Sequence, residues 1–211
     1  MTTLLSPPCA TVVTRLFAEA DASEARLREQ SNLVADKKDY HALYTSLKDY
    51  YLAVSRETAT LLYMLARSSR AAAIVEFGTS FGISALHLAA ALRDNGGGRL
   101  IGTEFEPAKL AQARANLALA GLDDLVTIRA GDALETLAAD LPETIDLVLL
   151  DGAKILYPRV LALLEPRLRP GALVVADNAD QCPDYLARVR DSGSGYVSVP
   201  LAGDVELSVR V

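Results

Sequence analysis

The sequence predicts an α/β chain: a doubly wound, mostly parallel sheet with helices on both faces, an antiparallel strand from a C-terminal hairpin, and a helical N-terminal extension. Three observations predict it. From Ala71 onward, short apolar runs alternate with helical patterns, as in a parallel sheet built from crossovers. Before Ala71, apolar residues recur at helix spacing. Near the C-terminus, Tyr196–Val199 and Val205–Val209 flank Pro200-Leu201-Ala202-Gly203-Asp204, a link suited to a hairpin rather than a crossover. The antiparallel strand is expected to close one edge.

Each element has its own signal. Thr11–Gln30 carries Val12, Leu16, Ala20 and Leu27 at helical spacing, and Ser55–Arg70 carries Leu61, Leu62, Leu65 and Ala66 on one face. Between them, Lys37–Tyr51 reads as a shorter helical or looped piece. The runs Ala72–Phe77, Arg99–Glu104, Leu125–Arg129, Ile145–Leu150 and Ala172–Ala176 read as buried strands. Helices are expected at Ile83–Arg93, at Pro107–Ala120 with proline in its first turn, at Ala133–Ala139, and at Tyr157–Leu168 before the stop signal Arg169-Pro170-Gly171. Right-handed crossovers place them on both faces of a Rossmann-like sheet. One domain over 1–211 is expected, with 1–70 the helical extension and 71–211 the core.

Composition removes several function classes. The chain of 211 residues is 51% hydrophobic and 23% charged, a globular balance. With 27 acidic and 21 basic side chains its net charge is -6, which counts against a surface built to neutralise phosphates, so nucleic acid is a disfavoured partner. Cys9 and Cys182 are the two cysteines, and their separation suggests neither a disulfide framework nor structural zinc. Met1 to Thr14 lacks a basic leader with an apolar core, and no stretch approaches the roughly 18 apolar residues that span a bilayer. The expectation is a soluble, cytoplasmic protein.

In doubly wound sheets ligands bind beyond the carboxyl ends of the strands, so polar residues ending apolar runs are the candidates. The first strand ends in Glu76-Phe77-Gly78-Thr79-Ser80-Phe81-Gly82, whose glycines allow close backbone approach to a nucleotide-type ligand or simply make a turn. Glu104 ends the second strand about 20 residues later, where a carboxylate accepts from both ribose hydroxyls or else caps the helix at Pro107. Gly131-Asp132-Ala133 follows the third strand, as an adenine contact or an Asp N-cap. Asp151, ending the fourth strand, and Asp177-Asn178, ending the fifth, bring two carboxylates and one amide to neighbouring strand ends. Such hard oxygen ligands suit magnesium or another divalent cation with positions left open, and the alternative makes both aspartates caps or turn formers.

In order and spacing these residues resemble the class I S-adenosylmethionine-dependent methyltransferases, specifically the small cation-dependent O-methyltransferases of the catechol and caffeoyl-CoA type. The resemblance spans most of the chain and rests on Glu76-Phe77-Gly78 through Ser84, Glu104, Gly131-Asp132-Ala133, Asp151-x-x-Lys154 with Tyr157, Asp177-Asn178 and Gly203-Asp204. It implies that Glu76, Gly78, Thr79, Ser84, Glu104, Asp132, Ala133 and Asp151 surround S-adenosylmethionine, with Val54 and Ser55 at its methionine end. It implies that Asp151, Asp177 and Asn178 hold the metal, and that the protein is a homodimer. Two stretches depart from the family pattern: Gly152-Ala153-Lys154-Ile155-Leu156-Tyr157 is less polar than in plant-type members, and Val205-Glu206 stands where a second glycine is common. Acceptor identity is therefore not carried over. Five of the eight tyrosines, Tyr40, Tyr44, Tyr50, Tyr51 and Tyr63, lie in the extension, as pocket lining or as core.

The implied activity is methylation of a hydroxyl on a small vicinal dihydroxy aromatic, a catechol-like phenolic acceptor. A divalent cation would lower the phenol's pKa, and beside it Lys154 would lose its preference for the ammonium form and act as general base, with Asp151 as its catalytic neighbour. The plain alternative for Lys154 is a surface lysine. Neither His41 nor His87 is assigned a role, and Arg159, Arg167, Arg169, Arg188 and Arg190 read as solvated helix faces. Two other functions fit the same fold: O-methylation of a hydroxylated RNA base, and non-catalytic S-adenosylmethionine binding.

Overall fold

Apolar residues two apart along the strands face the same side of a sheet, and here both sides are apolar, so both must be covered. A computed structural model describes residues 2–29, 40–201 and 204–211. Seven strands, β1 (Ala73–Phe77), β2 (Arg99–Glu104), β3 (Val126–Ala130), β4 (Ile145–Leu150), β5 (Leu168–Ala176), β6 (Tyr196–Leu201) and β7 (Val205–Arg210), form one sheet in the order β3-β2-β1-β4-β5-β7-β6. The pairs among β1 to β5 are parallel, and β7 runs antiparallel to both β5 and β6. The antiparallel strand is thus second from the edge, and β6 closes it.

Eight helices surround the sheet among the described residues: α1 (Cys9–Glu29), α2 (Tyr40–Ser46), α3 (Arg56–Ser68), α4 (Ile83–Asn95), α5 (Pro107–Leu119), α6 (Ala133–Thr136), α7 (Tyr157–Leu164) and α8 (Pro183–Arg190). Ile74, Leu100, Leu147, Leu149 and Val175 point to one face, where they share an apolar cluster with Leu16 of α1, Leu62 of α3, Leu86 of α4 and Leu117 of α5. Val75, Ile101, Val148, Leu150 and Val174 point to the other and pack with Val160 and Leu161 of α7 and Tyr185 and Val189 of α8. The N-terminal helices α1 and α3 are therefore bound into the core by the same burial that holds the sheet. Gln30 and Lys37 to Asp39, at the ends of two expected helical pieces, lie outside the described residues, as does Gly203.

Three expectations are corrected. The helix expected at Tyr157–Leu168 ends at Leu164, and a 3-10 turn (Glu165–Arg167) leads directly into β5. Arg169-Pro170-Gly171 does not stop a helix; it bulges inside the strand, because β4 advances from Ile145 to Leu147 while β5 advances from Leu168 to Leu173. Pro170 has no N–H to offer a ladder and Gly171 adopts φ +80°, so both suit the bulge. The helix expected at Ala133–Ala139 is a single turn. Helix α8 was not expected: only Tyr185 and Val189 are buried in it, too few to stand out from its charged neighbours.

The arginines are not simply solvated. Arg169 lies on β5 and donates to Asp146, Arg188 pairs with Glu165, and Arg190 donates twice to Glu206, at 2.8 and 2.6 Å. Glu206 is 1% exposed, so Arg190 supplies the charge that a buried carboxylate needs.

Candidate active site

The sheet reverses winding between β1 and β4, and the loops after those strands diverge to leave a cleft at their carboxyl ends. Gly78 sets its floor. A Cβ on Gly78 would lie 2.7 Å from the carbonyl carbon and oxygen of Asp151 and from the Gly152 nitrogen, and its φ of +95° is one that side chains rarely adopt. Glycine here lets the two strand ends touch, and Asp151 N–H donates to the Phe77 carbonyl at 2.8 Å.

Glu76 lies beneath this loop rather than in the cleft. Fully buried, it accepts from the Thr79 and Ser84 hydroxyls, each at 2.6 Å. Burial pushes its carboxyl up to about 7 against the two hydroxyl bonds. Gly102 of β2 makes room for this latch, since a Cβ there would lie 2.3 Å from Thr79 Oγ1.

Two cavities open above the loop, sharing Leu52, Gly78, Ser80 and Asp151. The larger is lined also by Glu104, Asp132, Ala133 and Lys109, and by Tyr40, His41 and Tyr44 of α2. The smaller is lined by Tyr51, Val54, Thr79, Phe81 and Ser84. Ser55 lines neither: it caps α3, accepting from Thr58 N–H at 3.0 Å. Glu104 accepts from the backbone N–H of Ser80 at 2.8 Å and of Glu106 at 2.9 Å, so it ties the loop to the turn before α5 while lining the larger cavity. Asp132 is the N-cap expected as one of its two alternatives, Oδ1 accepting from Leu134 N–H at 2.7 Å, while Oδ2 accepts from the Tyr40 hydroxyl at 3.1 Å and the residue lines the larger cavity.

Beyond Asp151 lies the second group of candidates. Lys154 Nζ donates to Asp151 Oδ1 at 3.1 Å and to the Tyr157 phenol oxygen at 2.8 Å, and that phenol donates to the Asp177 carbonyl at 2.8 Å. Lys154 is therefore a paired residue with 14% side-chain exposure, and the surface-lysine alternative falls. Asp177 N–H donates to the Leu150 carbonyl, which seats it beside the end of β4. Asn178 takes a left-handed backbone, φ +48°, and its amide nitrogen donates to Asp204 Oδ2 at 3.1 Å.

Burial pushes Asp151 up to about 6 although Lys154 favours its charge, and burial together with the Asp151 charge pushes Asp177 up to about 7. Asp204 and Asp180 raise Asp177 further. Among the described residues no group of three or more His, Cys, Asp and Glu side chains forms a metal cluster. The expected set is of another kind, two carboxylates and an amide oxygen, and the negative charge crowded on Asp177 fits a hard divalent cation in donor type and sign.

Two residues escaped sequence reasoning. Lys109 sits in an amphipathic helical pattern, where a lysine reads as solvent-facing, yet it is 4% exposed and lines the larger cavity. His41 was assigned no role, yet it lines the same cavity, 3.7 Å from Asp132 and edge-on to Phe105. Of the tyrosines, Tyr63 serves the scaffold by donating to Asp94 at 2.7 Å.

Known proteins resemble this chain in sequence and in fold. A methyltransferase domain model matches residues 75–179, from β1 to the turn after β5. The catechol O-methyltransferase of Sus scrofa is 32% identical over 154 residues, 69% of this chain and 82% of that protein. The chain belongs to the class I O-methyltransferases of the catechol and caffeoyl-CoA type. The catechol O-methyltransferase of Niastella koreensis is 36% identical over 130 residues, and that of Mycobacterium tuberculosis 32% over 141. The chain spans 58% and 63%, respectively, of the length of these family members. Among solved structures, the O-methyltransferase TomG of Streptomyces achromogenes, in complex with SAM, superposes with a TM-score of 0.67 at 27% identity, covering 91% of this chain and 98% of that one. An O-methyltransferase from Bacillus cereus (TM-score 0.70, 19% identity, covering 92% and 99%) shares the fold. No helix among the described residues is long and apolar enough to cross a membrane.

Proposed function

We propose that this protein transfers the methyl group of S-adenosylmethionine to a hydroxyl of a small vicinal dihydroxy aromatic, with a divalent cation such as magnesium. The observation that carries this reading is the position of Asp151: it lines both cavities, which on this reading take the two ends of the cofactor, and its carboxylate also holds Lys154 at 3.1 Å, the candidate base on the acceptor side. The relatives named catechol O-methyltransferase and the SAM-bound TomG support it.

On this reading the adenosyl part lies along Glu104, Asp132 and Ala133, and the methionine part lies towards Val54, Thr79 and Ser84. Glu76 shapes that end from below through its two hydroxyl partners. Ser55 and Glu76 act on the site through the backbone they hold. Asp151, Asp177 and Asn178 would hold the cation, which when bound supplies charge that favours the phenolate form of the acceptor. Lys154 Nζ would be the base that takes the acceptor's proton, and its bonds to Tyr157 and Asp151 support that role by fixing its direction. The remaining acceleration comes from orienting acceptor oxygen and methyl group in line and from keeping water out.

Calorimetric titration tests this reading. S-adenosylmethionine, then magnesium, then a panel of catechols are added to the protein and to Asp151→Ala. Cofactor binding followed by magnesium-dependent catechol binding, lost in the variant, is expected. Catechol binding and turnover indifferent to a chelator would remove the cation, and absence of cofactor binding would remove the whole reading. The homodimer suggested by the resemblance is checked by sedimentation.

A further inference from the structure

Lys109 projects from the first turn of α5 into the larger cavity. It is 4% exposed, yet among the described residues its ammonium makes no hydrogen bond and has no carboxylate within 4.0 Å; its recorded neighbour is the Phe81 ring, 5.3 Å from Nζ to the centroid. Burial lowers its pKa, opposed chiefly by the Glu104 charge. A buried ammonium with three unused donors is costly, and proteins offset such a cost with a partner. Among the described residues that partner is missing, and the group opens onto a cavity. The same wall holds a second unused group: among the described residues the Ser80 hydroxyl is buried without a partner, while Ser80 N–H donates to Glu104. Glu104 beside them can only accept while ionised.

From this juxtaposition of one acceptor and two unused donors we infer that Lys109 is a cofactor-ribose residue: its ammonium donates to a ribose hydroxyl oxygen whose proton Glu104 accepts. A vicinal diol suits the wall because each hydroxyl both donates and accepts. The inference rests on the proposed cofactor. It explains why a lysine is retained where an apolar residue would bury more cheaply, and it makes the ribose a point of discrimination.

The test uses S-adenosylhomocysteine, whose neutral sulfur keeps the sulfonium charge out of the comparison, together with its 2′-deoxy and 3′-deoxy analogues. Dissociation constants are measured by calorimetry for the unaltered protein and for Lys109→Met, with Lys109→Arg as a second variant that retains a donor. Lys109→Met is expected to weaken parent binding about tenfold and to shrink the preference for the parent over at least one deoxy analogue by a similar factor, while Lys109→Arg restores part of both. Equal losses for parent and both analogues, or no loss, would overturn the inference even though the cofactor binds. No binding of S-adenosylhomocysteine by the unaltered protein would defeat the cofactor reading and this inference with it. Thermal melts of each variant confirm that folding is retained, as removal of an unpaired buried charge should permit.

Discussion

The Lys154 ammonium and the Tyr157 phenol oxygen lie 2.8 Å apart, and the phenol donates its own hydrogen bond to the Asp177 carbonyl. Tyr157 is fully buried, so the phenol link of this chain is shielded from water, and it joins the ends of β4 and β5.

Removing the phenol oxygen leaves the Asp177 carbonyl without that donor and Lys154 with Asp151 alone. Tyr157→Phe should therefore lower kcat about tenfold with cofactor affinity unchanged, and cost about 1–3 kcal/mol of stability. In a Lys154→Met background the same substitution should change kcat little, since the tyrosine acts through the lysine. Kinetics on the four proteins check this; equal proportional losses in both backgrounds would show that Tyr157 works independently of Lys154.

Gly78→Ala places a methyl group 2.7 Å from the Asp151 backbone at a φ of +95°. The strand ends must part, and both cavities lose their shared wall. We expect at least a hundredfold loss of cofactor affinity and a destabilisation of about 2 kcal/mol or more. Gly121→Ala, where nothing lies within 4 Å of the added carbon, controls for backbone strain alone, since Gly121 also has positive φ, +68°. Isothermal titration and urea unfolding of both variants make the comparison.

Burial raises Glu76 from its ordinary 4.5 to about 7, which makes stability depend on pH. Below pH 4.5 the carboxyl is protonated in folded and unfolded chains alike, and its contribution is fully present. As pH rises towards 7 the unfolded chain releases the proton first, so the folded state loses ground by about 3 kcal/mol in total. Asp151 and Asp177, raised to about 6 and about 7, act in the same direction. The urea midpoint of the metal-free protein should fall between pH 5 and pH 8, and Glu76→Gln should flatten that fall. An unchanged slope in the variant would mean that the Glu76 latch is charged throughout.

Arg190→Met strips a fork of two hydrogen bonds from Glu206, which is 1% exposed. The arginine is itself about half exposed, so the cost sits below that of a fully buried pair, at about 2 kcal/mol. Cofactor binding should not change. Chemical unfolding and calorimetry together check both halves of this expectation.

Strands β1, β2 and β4 were legible because each is a short, largely apolar run with an acidic residue at or next to its end, and the candidates fell at those ends for the same reason. Helix α8 and the bulge in β5 were not, because their cause is tertiary. The bulge exists to keep β4 and β5 in register on either side of Pro170, and α8 is held by two buried side chains and two ion pairs. The direction of Glu76 was also hidden: strand alternation gives a face, whereas the hole that receives its carboxylate is made by Gly102 on the neighbouring strand. Lys109 was hidden by its type, since a lysine in a helix reads as solvated until the cavity beside it is seen.

The contact between Gly78 and the Asp151-Gly152 peptide divides the cleft into two halves with separate supports. One half rests on β1 to β3. The other rests on β4, β5 and the hairpin, where Ala179 N–H donates to the Asp204 carbonyl at 2.7 Å and laces the two turns together. On the proposed function, such a division lets evolution work on them separately: the rim around Asp177 and Asp204 could diverge in length and polarity to suit new acceptors while the half proposed for the nucleoside stays as it is. Asp151 is exempt from that freedom, because it lines both cavities and also pairs with Lys154.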